Sequence, residues 1–279
     1  MSIPVKLSES VFQKYIEPYL SKAKRGYVSK IPLYKIFNYI LYVLYTGCQW
    51  QSLPIENKQN NQLEKEISYQ AVYYHFRKWS HDGSLKKVFE ASIKTIRESL
   101  NLSEINFDGS HTISKKGGES VAYQGRKKAK TSNILSVTDK EGHIIGTTQI
   151  IAGNHHDSFE LKEKLQEIFK DLKRLSLDIK GAYFNADSAF DSKEGRKVCW
   201  NHCVIPNIDE NERNRSGVKR GRKRHFNKEV YNNRFCIERS FAWVDKFKRL
   251  LIRFERKDIY FLGFHFIAFT MINLRNLIC

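Results

Sequence analysis

The chain predicts an α/β protein in which an all-helical amino-terminal part precedes a mixed β-sheet layered with helices. Three observations carry this. Apolar residues recur at helical spacing up to about Leu102, the period shortens to the alternation of strands from Glu104, and after Asp157 helices and strands take turns. The expected cut falls between a helical domain at 1–102 and a sheet-bearing domain at 103–279.

In the first part, Val11, Phe12, Tyr15, Ile16, Tyr19 and Leu20 follow the candidate caps Ser8 and Ser10. Leu33, Ile36, Phe37, Ile40, Leu41 and Leu44 repeat the pattern after Pro32, and Gly47 ends it. The polar stretch Glu56 to Glu66 has no periodicity and reads as a mobile loop. Ser68 can cap a third helix that turns Val72, Phe76 and Trp79 inward and Gln70, Tyr74, Arg77 and Lys78 outward. Two readings of it stay open: a helix-turn-helix recognition element, or an ordinary amphipathic helix with a solvated basic face. His81-Asp82-Gly83 breaks the chain before a fourth helix carrying Leu85, Val88, Phe89, Ile93, Ile96 and Leu100.

In the second part, Ile105 and Phe107 alternate with Asn106 and Asp108, so a strand burying the first pair turns the carboxylate to the other face. Two strands, 131–139 and 144–152, flank the hairpin turn Lys140-Glu141-Gly142, where Asp139 is expected to serve the turn. Asp157 and Glu160 form a capping-box-like start for a helix with Leu161, Leu165, Ile168, Phe169, Leu172 and Leu175. In the strand 182–187, Tyr183, Asn185 and Asp187 share a face. Asp191 can support Asp187 or cap a short helix through Arg196 and Cys199, with the cap favoured by the local pattern, and Val204-Ile205-Pro206 gives one more strand before a last helix. Three strands, helix, strand, helix, strand, helix is the order of an RNase H-like mixed sheet.

The charge balance narrows function. Lys and Arg number 48 against 30 Asp and Glu, a formal +18 and a pI near 9.6, the footprint of a polyanion binder. The five cysteines (Cys48, Cys199, Cys203, Cys236, Cys279) are odd in number, scattered and without a leader ahead of them, so a reducing cytoplasm is expected and a disulfide framework is not. The cluster Cys199, His202 and Cys203 lacks a second pair at finger spacing, so its cysteines read as buried apolar thiols on a helix rather than zinc ligands. The apolar run from Phe261 to Ile272 carries His265 and falls short of the ~20 residues a bilayer requires, so a buried terminal helix is expected and no membrane partner.

Three acids stand in separate settings: Asp108 and Asp187 at strand ends and Glu238 in a basic helix. Mg²⁺ takes oxygen ligands and keeps several waters, so a few carboxylates and a substrate phosphate suffice to hold it. Asp108 and Asp187 can share such a site if their strands are neighbours, with Glu238 closing it. Tyr231, Arg234 and Glu238 lie at i, i+3 and i+7, on one face of an uninterrupted helix. Before that helix runs a Lys- and Arg-dense stretch, with Arg220, Arg222, Lys223 and Arg224, suited to a phosphate backbone. His111 beside Asp108 can orient a phosphate or a metal-bound water, or make a structural hydrogen bond; His155 and His156 are placed at a helix start.

Asn106-Phe107-Asp108-Gly109-Ser110-His111-Thr112, Ala186-Asp187-Ser188-Ala189-Phe190-Asp191-Ser192 and Tyr231-x2-Arg234-x3-Glu238-Arg239-Ser240-Phe241-Ala242-Trp243 resemble the motifs of bacterial insertion-sequence DDE transposases of the broad IS-four and IS-five-like group. The run from Tyr45 to Pro54, Trp79-Ser80-His81-Asp82-Gly83 and Gly153-Asn154-His155-His156-Asp157-Ser158 are similar to further segments of that group, so the resemblance covers nearly the whole chain. It implies Mg²⁺-dependent cleavage at insertion-sequence ends and strand transfer into target DNA, with Asp108, Asp187 and Glu238 as metal-binding triad and Mn²⁺ as a substitute ion. It implies double-stranded DNA as partner, a homodimer or higher oligomer in the synaptic complex, and a cytoplasmic, nucleoid-associated protein. Tyr231 and Arg234 would support the Glu helix or contact the transposon end, and Arg77 and Lys78 belong to the helices that help recognise the terminal repeats. One position departs: the family pattern calls for Lys seven residues after the Glu, and Asp245 stands there with Lys246 next. On an ideal helix Asp245 lies about 20° from Glu238, Lys246 about 80° away in the other sense, and Arg249 nearly in line, from 100° per residue. Lys246 or Arg249 is therefore the expected replacement contact. Two rivals stay open: an impaired or repurposed transposase that only binds DNA, and an RNase H-like nuclease that cuts without joining.

Overall fold

The computed structural model describes residues 3–22, 28–29, 31–211 and 224–278. Arg220, Arg222, Lys223 and Cys279 lie outside the described residues. The chain divides into two compact units, and neither is continuous in sequence: the first is Met1–Ile96, Thr112–Glu119 and Trp243–Cys279, the second Arg97–His111 and Ser120–Ala242.

The first unit is mostly helical. Ser8 caps α1 (Glu9–Tyr15) through its side chain, and α2 (Leu33–Thr46) ends on Gly47 at φ 71°, left-handed backbone that favours glycine. Ser68 caps α3 (Tyr69–His81) by accepting from the Ala71 amide; Ser68→Ala should lower stability by about 0.5–2 kcal/mol, read from urea unfolding. The third helix buries Val72, Phe76 and Trp79 and exposes Gln70, Tyr74 and Arg77, as its periodicity predicts. After the left-handed Gly83 comes α4 (Ser84–Thr95). The polar stretch between α2 and α3 is ordered, against expectation: β1 (Asn57–Lys58) pairs antiparallel with β2 (Asn61–Lys65), and Glu66 at its base accepts from Lys35 at 2.8 Å and Tyr39 at 2.6 Å. Its strands are exposed on both faces, so no apolar alternation announced them. The carboxy-terminal elements complete this unit: α9 (Lys248–Leu251), β10 (Ile252–Arg253) and α10 (Asp258–Ile278). The last helix is long and apolar enough to cross a membrane, yet it is mostly buried here, packed on α4 and α3, with Phe264 stacked on Phe76 at 4.2 Å. Burial holds the His265 imidazole down at about 4, hence neutral.

The second unit holds the sheet. Its strands are β3 (Glu104–Ser114, whose last residues pass into the first unit), β4 (Ala122–Gln124), β5 (Ala129–Asp139), β6 (Ile144–Thr147), β7 (Ile151–Ala152), β8 (Tyr183–Ala186) and β9 (Ile205–Ile208). The order β5-β3-β8-β9 has β8 parallel to both β3 and β9, while β4, β6 and β7 pair antiparallel with β5. Helix α5 (Leu161–Arg174) enters between β7 and β8, α6 (Lys193–Asn201) between β8 and β9, and α7 (Lys228–Asn232) and α8 (Phe235–Val244) follow β9. This is the mixed RNase H-like sheet expected from the element order, with β4 as an addition. Asp139 serves its turn from a fully buried position, accepting from the amides of Glu141 and His143.

Candidate active site

Phe107 fixes the part of β3 that matters. Its ring is buried against Phe184 at 5.4 Å and Phe190 at 4.9 Å, and alternation turns the next residue, Asp108, to the opposite face. The parallel register ends on the pair Phe107 and Ala186, and the next residue of each segment is an aspartate: Asp108 continues β3, and Asp187 lies just past the end of β8. The Asp108 carboxyl is pushed up to about 6, first by burial and then by the charges of Asp187 and Asp157, against the Gly109 amide and Arg234. Asp187 is more exposed and accepts from the Ser188 amide at 2.6 Å.

Glu238 joins this pair through a cation. Arg234 sets Nη1 3.3 Å from Asp108 Oδ2 and Nη2 3.5 Å from Glu238 Oε1, with its guanidinium over the Tyr231 ring at 5.7 Å. Tyr231 has its hydroxyl pushed up by burial, with Asp187 and Asp209 adding to the rise and Arg234 opposing it. Tyr231, Arg234 and Glu238 thus gather about Asp108 and Asp187, although no single helix carries them: α7 stops at Asn232 and α8 starts at Phe235. Among the described residues, no group of three His, Cys, Asp or Glu side chains stands at metal-holding distance. The donors nevertheless suit a hard divalent cation, being carboxylates from β3 and from the residue that follows β8, with Asp108 raised in pKa chiefly by burial and further by the neighbouring acids Asp187 and Asp157.

Beside Asp187 opens a cleft of about 780 Å³, lined among others by His111, Tyr123, Arg126, His155, Asp157 and Asp209. His111 takes the structural role: its Nε2 lies 3.4 Å from Asp157 Oδ1 and its Nδ1 3.3 Å from Thr131 Oγ1. Asp157 also accepts from Asn133 at 2.8 Å, and the hydrogen bond to His111 leads in holding its carboxyl below the usual range. This corrects the capping-box expectation. Helix α5 starts at Leu161, its cap Glu160 makes no side-chain cap bond, and Asp157 is engaged in the cleft instead. His156 bonds Ser158 Oγ at 2.9 Å, and His155 stacks on Phe159.

Family models match the chain along most of its length, one for transposases of the IS4/5 family over residues 7–89 and one described as the transposase DDE domain over residues 97–274. The chain belongs to the DDE transposase family. No curated protein matches it. Among solved structures, the Mos1 transposase paired-end complex with left transposon end is 13% identical, covering 95% of this chain and 84% of that one at a TM-score of 0.29. The Mos1 mariner paired end complex with Mn is 11% identical, covering 90% and 80% at 0.28. Scores this low leave the assignment to the family match.

Three expectations about this transposase change. Asp191 does not cap α6; Ser192 does, by accepting from the Gly195 amide, while Asp191 pairs with Arg196 at 2.8 Å and Arg224 at 2.7 Å. Burial works against charge at Asp191, and the two guanidinium groups still hold its carboxyl below the usual range. Arg224, offered as a phosphate contact, is thereby engaged with an acid of its own unit. The helix reasoning for Lys246 and Arg249 also fails, because α8 ends at Val244 and a turn precedes α9, so no uninterrupted helix relates them to Glu238. Arg249 is 8% exposed, paired with Glu255 at 2.7 Å and donating to the Cys48 carbonyl at 3.2 Å; its work is to hold the first unit together. Lys246 is exposed. Arg77 is exposed and donates to the Tyr260 hydroxyl at 3.0 Å, and Lys78 is half-buried.

Proposed function

We propose that this transposase cuts DNA at the ends of its insertion sequence and joins the freed ends to target DNA, with Asp108, Asp187 and Glu238 holding the divalent cations. Mg²⁺ is the expected ion and Mn²⁺ a substitute. When bound, the ions would activate the attacking oxygen and stabilise the leaving one. The observation that supports this most is the neighbouring pair Asp108 and Asp187 tied to Glu238 by Arg234. Arg234 lies between Asp108 and Glu238; a scissile phosphate would offer its guanidinium a bidentate anion and would free Glu238 to turn toward Asp108. Tyr231 flanks that exchange.

In functional terms residues 1–102 would recognise the terminal repeats, with Arg77 and Lys78 of α3 among the contacts, and 103–279 would carry catalysis. The Lys- and Arg-dense stretch with Arg220, Arg222 and Lys223, together with Lys246, would follow the phosphate backbone. Two or more copies would bring two ends together, in a cytoplasmic protein that sits on the nucleoid when DNA-bound. Incubating the protein with a labelled terminal repeat, target DNA and Mg²⁺ tests the reading. Joined products support it, cleavage alone would make the protein a nuclease, and a gel shift without either would make it a DNA-binding protein.

Cation binding has a predicted pH dependence. A carboxyl raised to about 6 keeps its proton longer than an ordinary aspartate, and a cation requires the carboxylate. Mn²⁺ affinity, measured by calorimetry, should fall by about tenfold per pH unit below that value and level off above it. Without cation the sign for stability is the reverse. A raised folded-state pKa contributes stability that is present below the ordinary aspartate range and lost as pH rises through about 6.

A further inference from the structure

Three Asn-x-Asp triplets occur in the second unit: Asn106-Phe107-Asp108, Asn185-Ala186-Asp187 and Asn207-Ile208-Asp209. Their asparagines lie on β3, β8 and β9, with Asp187 and Asp209 each one residue past the strand end, and the parallel registers pair Asn106 with Asn185 and Asn185 with Asn207. All three asparagines are 0% exposed. Their amides run across the sheet as a ladder: Asn185 Nδ2 donates to Asn106 Oδ1 at 2.9 Å, and Asn207 Nδ2 donates to Asn185 Oδ1 at 2.8 Å.

A sheet face buried under helices ordinarily carries apolar side chains, and a buried amide left without a partner costs about 1–3 kcal/mol. The ladder satisfies its amides, and it also reaches upward. Asn207 donates to the Asn227 carbonyl at 2.9 Å and accepts from the Asn227 amide at 2.7 Å. Asn185 reaches the Val230 carbonyl at 3.4 Å, and Asn106 Nδ2 reaches Cys236 Sγ at 3.1 Å. Points at 227, 230 and 236, along the segment that leads to Glu238, are thus pinned in turn over β9, β8 and β3. A slip of one residue in either register would send the ladder amide and the aspartate two residues on to the wrong face together. Apolar side chains would pack without fixing the register so sharply.

We propose that the Asn106–Asn185–Asn207 ladder is the positioning device of the cation site: it sets Asp108 and Asp187 beside each other and fixes the approach of the Glu238 segment. This rests on the assignment of those three acids under the proposed function. Asn185 is its central positioning residue, since it bonds both neighbours and the covering segment.

The test compares Asn185→Leu with Asn273→Leu in the full chain. Asn273 is likewise buried but belongs to the first unit, where it donates to Ser92 Oγ at 3.3 Å. Mn²⁺ binding without DNA is measured by calorimetry, end binding by gel shift and folding by thermal melting. Asn185→Leu should weaken Mn²⁺ binding by about 10–100-fold, the range for loss of an outer-shell partner, and raise the Mg²⁺ needed for half-maximal cutting, with end binding kept. Asn273→Leu should lower the melting temperature and leave Mn²⁺ affinity unchanged. If Asn185→Leu fails to fold, Asn207→Leu at the ladder's edge carries the same expectation. A folded ladder variant that binds Mn²⁺ as the unaltered protein does, or an equal loss in Asn273→Leu, overturns the proposal while the triad stands. Undiminished Mn²⁺ binding by Asp187→Ala would instead remove the assignment beneath it.

Discussion

Asp187→Ala should abolish DNA cutting and leave end binding intact. Asp187 caps only its own short turn, through the Ser188 amide, and sits exposed just past a strand end, so its loss costs the fold little. It is one of two neighbouring carboxylates, and the other alone offers too few donors for a hydrated cation. The fall in cutting rate should therefore exceed the ~10–100-fold that follows loss of an outer-shell partner. Labelled-end cleavage and a gel shift on the same preparation check both halves. A variant that cuts at the normal rate would show that Asp187 is no catalytic ligand.

Phe107→Ala should produce the largest loss of stability, about 3–5 kcal/mol by urea unfolding, the usual cost of deleting a buried ring. The ring is fully buried between Phe184 and Phe190, so its loss opens a cavity between β3 and β8 where nothing polar can fill it. The same cavity lies one residue from Asp108. Cutting should thus fall further than the folded fraction accounts for, which a rate normalised to folded protein would reveal.

What was legible in the sequence was whatever local pattern fixes. The switch from helical period to alternation at Glu104 located the sheet, and Phe107 buried beside Asp108 followed from alternation alone. Asp187 stands just past a strand end and Glu238 on a helix, as expected, but Asp108 lies inside β3, which continues to Ser114. Long-range packing hid the rest. Alternation with Ile105 places Asn106 on the other face of the strand but does not say what covers that face, which the segment from 227 to 236 buries. Asn-x-Asp was on the page three times, but its meaning needs the registers of β3, β8 and β9. The stop of α8 at Val244 had no Gly or Pro to announce it; the turn lets Phe247 go fully buried, edge-on to Tyr45 at 6.3 Å, and cancels the helix arithmetic for Arg249. Nor does sequence order reveal that α10 packs on α4 and α3.

The central claim is that Asp108, Asp187 and Glu238 converge on one cation site once Arg234 turns to phosphate. A crystal structure of the protein with a cleaved terminal-repeat end and Mn²⁺, read by anomalous scattering, measures this directly. Manganese should lie within coordination distance of Asp108 and Asp187, with Glu238 closing on it and Arg234 on a DNA phosphate. Manganese bound elsewhere, or Arg234 still between Asp108 and Glu238 with DNA in place, would contradict it.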